Sequence, residues 1–515
     1  MKILKLILLL ISINVFSQSV HIENIDNFEL TDAGTLTEND NLSYYVFYTT
    51  KKEVGKKKKE GILSFFNKNL EEITKIDFLL DSKTNRLIEV KSNGTNVAVS
   101  LYNKETKMLT YNFYDSKGRK LDFEYVLPYK KQTFAMGYYK EIQKMEEWIL
   151  NYPIKNNGFL FSETIKKKKW GYRFGYISNS GEKWTYDSSA EINNRVQASP
   201  IYADENKIVI VEKIWGSNFD RQPELRTFVL DTKTGKEVFS IKIDYEKAPK
   251  FYTRALVTNE GKIVLFGEYY KKGHKFHSND YNEGYFMEIY SKEGEKLSSQ
   301  LLSYRNNPEF RKHLEIEANA KQKKFGSVYF YDVLQNNDKF YIIGERFVRD
   351  VQGFSTGKAL LSASFGMLGQ ENWSSKYTLG DLVVLEINND AVLTNFYKIS
   401  KDKAPSGLSS MNKWPLMNLR HMQNEFNVDY LAQEQESGVL KIVSKNRKIK
   451  KEGKEEKIDY AIHFYGLDAG NIQKEKVLSF HVDKEERYRL IKGAENTFTM
   501  FKYDYQKGLT IENLK

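Results

Sequence analysis

Basic residues are clustered in this chain rather than spread along it. Lys51 and Lys52 with Lys56, Lys57, Lys58 and Lys59 make one run, and Lys166, Lys167, Lys168 and Lys169 a second. Lys271, Lys272 and Lys275 make a third, and Arg447, Lys448, Lys450, Lys451 and Lys454 a fourth. Adjacent cations repel one another unless water, salt or a bound anion screens them. The chemistry such runs offer is electrostatic: attraction of an anionic chain, with an affinity that falls as salt rises. The competing role is protective, since lysine at exposed hairpin tips keeps them soluble and discourages edge pairing.

Other residue sets suggest chemistry less strongly. Gly353-Phe354-Ser355-Thr356-Gly357 fits G-x-S-x-G, the turn that exposes a nucleophilic serine, with His421, His463 and His481 downstream as candidate bases. That elbow belongs to parallel α/β sheets, whereas the flanking residues alternate as antiparallel strands do, which favours an ordinary loop. His274, His277, Asp280 and Glu283 offer four metal donors within ten residues. Lys271, Lys272 and Lys275 beside them oppose a further cation. The pairs Glu71-Glu72, Glu146-Glu147 and Glu485-Glu486 read as surface charge, and no calcium loop, phosphate loop or dinucleotide fingerprint is present. The chain has no cysteine, which removes disulfides, thiolate metal sites and a thiol nucleophile. No catalytic residue, metal site or cofactor is assigned.

The elements that carry these residues repeat. An alternating apolar run, a tight polar turn and a second alternating run recur along the chain. In the clearest copies Leu109–Tyr114 turns at 115–118, Arg226–Leu230 at 231–235 and Tyr285–Tyr290 at 291–294. Weaker copies turn at 67–69, 179–181, 388–390 and 467–470. Asp, Ser, Thr, Asn and Gly are the residues a hairpin needs there. A third alternating run precedes each hairpin, as in Lys207–Ile214 or Lys262–Tyr269, and often a fourth stands before that. Four antiparallel strands, A to D, repeated around an axis predict an all-β fold: a single β-propeller with long loop insertions and few short helices. Two packed β-sandwiches are the other arrangement. Seven such hairpins give seven blades. The eighth-blade alternative draws on Thr497–Tyr503 and Leu509–Leu514, which could instead pair with His21–Leu30 to close the ring. Every basic run falls in one slot, between strands B and C, so the runs are expected on one rim.

Helical periodicity is confined to Tyr139–Leu150 and 308–324. An insertion at 352–377 sets Leu360, Leu361, Phe365, Met367, Leu368 and Trp373 among small residues, as a lid, a partner contact or a flap packed on its own blade.

Lys2 and Lys5, the apolar stretch Ile3–Val15 and Ser17 stand in the order of an export signal, which predicts a signal peptide at 1–17 and one domain at 18–515. No later stretch is apolar enough to cross a bilayer, so no membrane span is expected in the mature protein. The balance of 79 Lys and Arg against 68 Asp and Glu favours anionic partners.

The four-strand repeat behind an export signal resembles exported bacterial β-propeller-like proteins of unknown role. The likeness covers the repeat region and brings no residue motif with it. The expected function is a non-enzymatic binding or scaffold protein of the periplasm, outer cell surface or exterior. Its expected partner is an anionic polysaccharide, another anionic surface polymer or another envelope protein. The alternative is a propeller-fold hydrolase or lyase acting on a surface polymer or ester.

Overall fold

Strand burial follows position in the repeat. In the computed structural model, every residue of Ile263–Tyr269 and Gly284–Tyr290 is buried, while Lys120–Pro128, apart from the buried Leu127, and Lys183–Asp187 alternate between exposed and half-buried. Runs apolar on both faces make inner strands, and alternating runs make edges. The structure describes residues 19–39, 41–55, 57–128, 151–166, 170–188, 195–215, 222–275, 282–316, 327–351, 375–401, 404–409, 430–436, 439–452, 455–468, 471–482, 486–493 and 497–514.

Eight antiparallel sheets of four strands in A-B-C-D order define a β-propeller of eight blades. Blade 1 runs through Ile25–Asn27 and Ala33–Glu38, which share the place of strand A, then Asn41–Gly55, Lys58–Asn67 and Glu72–Asp81. Blade 2 is Arg86–Ser92, Val97–Asn103, Met108–Tyr114 and Lys120–Pro128. Blades 3, 4 and 5 span residues 151–187, 195–242 and 250–303, blade 6 residues 327–399 and blade 7 residues 430–481. Blade 6 gains a fifth strand, Ala404–Ser409, on its strand C. The expectation of seven blades is thus corrected to eight, and the reason is covalent. Blade 8 takes strands A to C from Arg487–Lys492, Phe498–Asp504 and Gly508–Leu514, but its strand D is the first strand, Ser19–Ile22. No turn joins C to D there, so counting hairpins misses one blade.

One device builds five of the C–D turns, those of blades 1, 2, 3, 5 and 6. Asn67, Asp115, Ser178, Ser291 and Asn388 each open a turn, and each side-chain oxygen accepts the N–H groups two and four residues on, at 2.9 to 3.3 Å. Three residues after each of these comes a left-handed residue: Leu70, Gly118, Gly181, Gly294 and Ala391. This is the three-residue hairpin with a bulge. Glycine has a second reason there. A Cβ on Gly118 would lie 2.4 Å from Thr74, one on Gly235 2.5 Å from Trp184, and one on Gly294 2.5 Å from Phe239. Each of these partners lies on strand D of the preceding blade.

The chain divides into two compact units, residues 1–130, 449–461 and 478–515 in unit 1, and residues 131–448 and 462–477 in unit 2. Unit 1 holds blades 8, 1 and 2, and unit 2 holds blades 3 to 6. The hydrophobic clusters lie between consecutive blades. In unit 1, Tyr44, Phe66, Phe501 and Ile511 join blades 8 and 1, while Phe47, Phe65, Val97 and Val99 join blades 1 and 2. In unit 2, Phe266, Tyr285, Phe330 and Ile342 join blades 5 and 6. At roughly 25 cal/mol per Å² of apolar surface removed from water, these seams are what hold each blade to the next.

Of the helical expectations, Pro308–His313 is one short helix, capped by the Asn307 side chain. Residues 139–150 lie outside the described residues, as do the signal segment, the G-x-S-x-G stretch and most of the 352–377 insertion.

Candidate functional site

The described residues of each basic run stand at the B–C end of their own blade, in the B–C loop itself in blade 5 and at least partly on the flanking strands in blades 1, 3 and 7. In blade 1 the strands themselves extend to Gly55 and resume at Lys58, so Lys51, Lys52, Lys58 and Lys59 ride on a long hairpin. Glu60 accepts hydrogen bonds from Lys52 at 2.8 Å and Thr50 at 2.9 Å, and these hold its pKa below the usual carboxylate value. Lys59 pairs with Asp26. Lys57 is exposed with φ +65°, in the left-handed region, and Lys56 lies outside the described residues. In blade 3, Lys166 ends strand B opposite Trp170, and Lys167, Lys168 and Lys169 lie outside the described residues. In blade 5, Lys271 and Lys272 are exposed and make long ion pairs, to Glu283 at 3.5 Å and Glu246 at 3.7 Å. The carbonyls of Gly273 and His274 accept hydrogen bonds from the Gln222 amide at 3.2 and 3.1 Å, which ties blade 5's tip to blade 4. In blade 7, Arg447, Lys448, Lys450 and Lys451 lie on strand B, Val439–Glu452.

In unit 1 the B–C tips of blades 8 and 1 meet, and residues that the runs do not include take part. Tyr505, at the Phe498–Asp504 to Gly508–Leu514 turn, is 65% exposed, and the Lys51 ammonium lies 5.6 Å from its ring centroid. Lys507 sits in the same turn. Across blade 1, the Lys104 N–H donates to the Lys83 carbonyl at 2.7 Å, joining the tip of blade 2 to the link between blades 1 and 2. Lys107 in that tip is also left-handed, with φ +58°. None of Lys83, Lys104, Lys107 and Lys507 belongs to a run. Their only sequence signal is their position in the repeat.

A second charged set lies where blade 8 meets blade 1, between strand Arg487–Lys492 and the short turn Leu30–Asp32. Arg489 of blade 8 donates to the carbonyls of Leu30, at 2.9 Å, and Ala33. Arg487 donates to the Phe28 carbonyl at 2.8 Å and faces Glu29 at 3.6 Å. Between these contacts sits Asp32, buried, whose carboxyl is pushed up to about 8 by burial, then by the neighbouring Glu29 and Glu89 charges, against the pull of a Val90 N–H and Arg489. Asp32 therefore holds its proton at neutral pH. Sequence gave no sign of this set, because Asp32 and Arg489 stand more than 450 residues apart.

Buried glutamates in unit 2 are satisfied by phenols and cations. Glu288 receives Lys250, Tyr252, Tyr290 and Lys296 at 2.7 to 2.8 Å. Burial alone would raise its pKa; the hydrogen bonds from Lys250, Lys296 and Tyr252 outweigh that and hold it at about 2. Glu386 is held similarly by Lys339, Tyr397, Asn395 and Thr394. These contacts satisfy the buried carboxylates from within the fold. His463, one of the candidate bases, contacts Tyr465 OH at 2.9 Å, and burial followed by the Lys474 charge lowers its pKa. Among the described residues, no three His, Asp or Glu side chains are grouped to hold a metal ion. His274 stacks on Tyr270 at 4.6 Å, while His277 and Asp280 lie outside the described residues. No helix among the described residues is long and apolar enough to cross a membrane.

Blades of this order and closure place the protein among the β-propellers. Within that class the chain belongs to DUF6770, a family of unknown function, whose match covers residues 1–507. No curated protein matches it. Solved structures share only distant likeness of fold. Oligopeptidase B from Trypanosoma brucei is 8% identical at a TM-score of 0.35, covering 94% of this chain and 54% of that one. A post-proline cleaving enzyme from Rickettsia typhi is 10% identical at 0.34, covering 92% and 57%. An apocarotenoid oxygenase from Synechocystis is 10% identical at 0.32, covering 96% and 88%. This chain thus spans just over half the length of the two peptidases.

Proposed function

We propose that this protein is an exported, non-enzymatic binding or scaffold protein of the cell envelope or exterior, and that its B–C ends contact an anionic polymer. The observation that carries the reading is positional: basic runs far apart in sequence stand at the same end of blades 1, 3, 5 and 7. Cations gathered by a repeat draw polyanions through counterion release, so binding should weaken steeply with salt. The export signal at 1–17 supplies the compartment. The test replaces Lys56–Lys59 and Lys166–Lys169 by Ser and measures retention on immobilised anionic polymers across a salt series. Earlier elution and a shallower salt dependence are expected; unchanged elution on every polymer would remove the reading.

A second reading, a hydrolase or lyase acting on a surface polymer or ester, draws on Asp32. A carboxyl that keeps its proton at neutral pH is what a general acid requires. Its protonation has a thermodynamic signature. A raised native pKa means that the unfolded state loses its proton first, so the contribution of Asp32 to stability is full below about pH 4 and is lost as pH rises through about 8. Urea melts of the wild type should show that decline and Asp32→Asn should flatten it. A wild-type curve already flat over this range removes the acid and the reading with it.

A further inference from the structure

Three neighbouring tips in unit 1 are built to hold lysines in place, and this feature extends the reading above. Left-handed backbone disfavours side chains with a Cβ, and among non-glycine residues Asn tolerates it best. Asn fills the left-handed position at Asn39, Asn156 and Asn337, and Gly fills most of the C–D turns. At the B–C tips of blades 1 and 2 the left-handed residues are instead Lys57 and Lys107. Strain retained at an exposed tip, where glycine would serve the fold better, points to a use for the side chain.

Short polar side chains fix these tips. The Asn103 side-chain oxygen accepts the N–H groups of Glu105 and Thr106 at 2.9 and 3.0 Å. Asp81 accepts that of Lys83 at 2.7 Å, and Asp504 those of Gln506 and Lys507 at 2.7 and 3.0 Å. The backbone at Lys83, at the 104–107 tip and at Lys507 is therefore held before any ligand arrives, which lowers the entropy lost on binding. Among the described residues, no ion pair engages Lys51, Lys57, Lys58, Lys83, Lys104 or Lys107, whereas Lys52 and Lys59 are paired. Tyr505, the most exposed of the large apolar side chains described, stands against Lys51 of the same hairpin as Lys57 and Lys58.

We infer that this end of unit 1 binds an acidic polysaccharide, with the Tyr505 ring as the platform for one sugar ring and the lysines of blades 1 and 2 as partners of its carboxylates or sulfates. The inference rests on the anionic-polymer reading and names its ligand class. Lysine is a hydrated point charge suited to spaced single anions, whereas arginine forks dominate phosphate and nucleic-acid recognition. One aromatic platform suits one sugar ring, whereas single-stranded nucleic acid is tracked by successive aromatics.

The test uses the intact mature protein and four probes: alginate, heparin, neutral dextran and oligothymidylate. Tyr505→Ala should weaken alginate and heparin binding about tenfold, or about 1.4 kcal/mol. Tyr505→Phe should bind as the wild type does. Lys57→Ser with Lys58→Ser, and Lys104→Ser with Lys107→Ser, should each reduce the salt dependence. Thermal melts confirm that the variants fold. Equal binding by Tyr505→Ala and wild type overturns the inference. So does oligothymidylate binding that is tighter than alginate binding and equally dependent on Tyr505. If these variants bind normally while Lys271→Ser with Lys272→Ser loses affinity, this site fails but the anionic-polymer reading stands. If the wild type binds none of the charged probes, both fail.

Discussion

The two ends of each blade are made on different terms. At the C–D end, one capping side chain followed by one left-handed residue recurs in five blades, and three glycines approach the preceding blade closely. At the B–C end length and charge vary from blade to blade: blade 2 turns in four residues, whereas blade 1 extends its strands to Gly55 and resumes them at Lys58. The first end is set by packing, where a side chain of the wrong size is felt at once. The second is free of packing and therefore able to vary in length and charge, as loops that carry function do on rigid scaffolds.

The contrast breaks most readily at a C–D glycine. Gly294→Ala places a Cβ at φ +99° and 2.5 Å from Phe239. It should cost about 2–3 kcal/mol in a urea melt, from strain and crowding. A loss under half of that would mean that the turn does not anchor the seam. Next in size is the cap. Asn388→Ala removes the acceptor for the Asp390 and Val392 N–H groups and should cost about 1 kcal/mol. At the other end the sign reverses. Lys57→Gly relieves a left-handed lysine and should stabilise the protein by about 0.5–1 kcal/mol while weakening polyanion binding. Destabilisation by that change would place Lys57 among the packing residues. The smallest effect is expected from Lys271→Ser with Lys272→Ser. Both are exposed, so stability should move by less than about 0.5 kcal/mol, and any clear loss would show that blade 5's tip bears structural load.

How much was legible in advance follows the same division. The C–D turns with Gly118, Gly235 and Gly294 were the clearest, and those with Leu70 and Ala391 were faint because only the capping Asn67 and Asn388 then mark the turn. The B–C slot was readable because lysine came in runs. Tyr505, Lys83, Lys104 and Lys107 were not, since a single tyrosine or lysine has no periodicity to betray it. The length of the blade 1 hairpin was hidden because lysine-rich strands have no apolar alternation beyond Tyr48. The Asp32 and Arg489 set is a product of closure, and only pairing of the two ends of the chain brings blade 8 beside blade 1.

That closure has a consequence for the order of assembly. Ser19–Ile22 is earliest in the sequence, and its ladder partners are Glu512, Ile511, Thr510 and Leu509. The first strand therefore has nowhere to dock until the last one exists, and Gly508–Leu514 keeps an unsatisfied edge until the first returns. Joining positions so distant carries a closure entropy of about 5 kcal/mol on the logarithmic law, supplied by four residue pairs and the apolar seam behind them. Such a step comes late and slowly. A circular permutant that links Leu514 to Ser19 by a short turn would make that pairing an ordinary hairpin. It should refold faster than the natural order while leaving the finished blade unchanged.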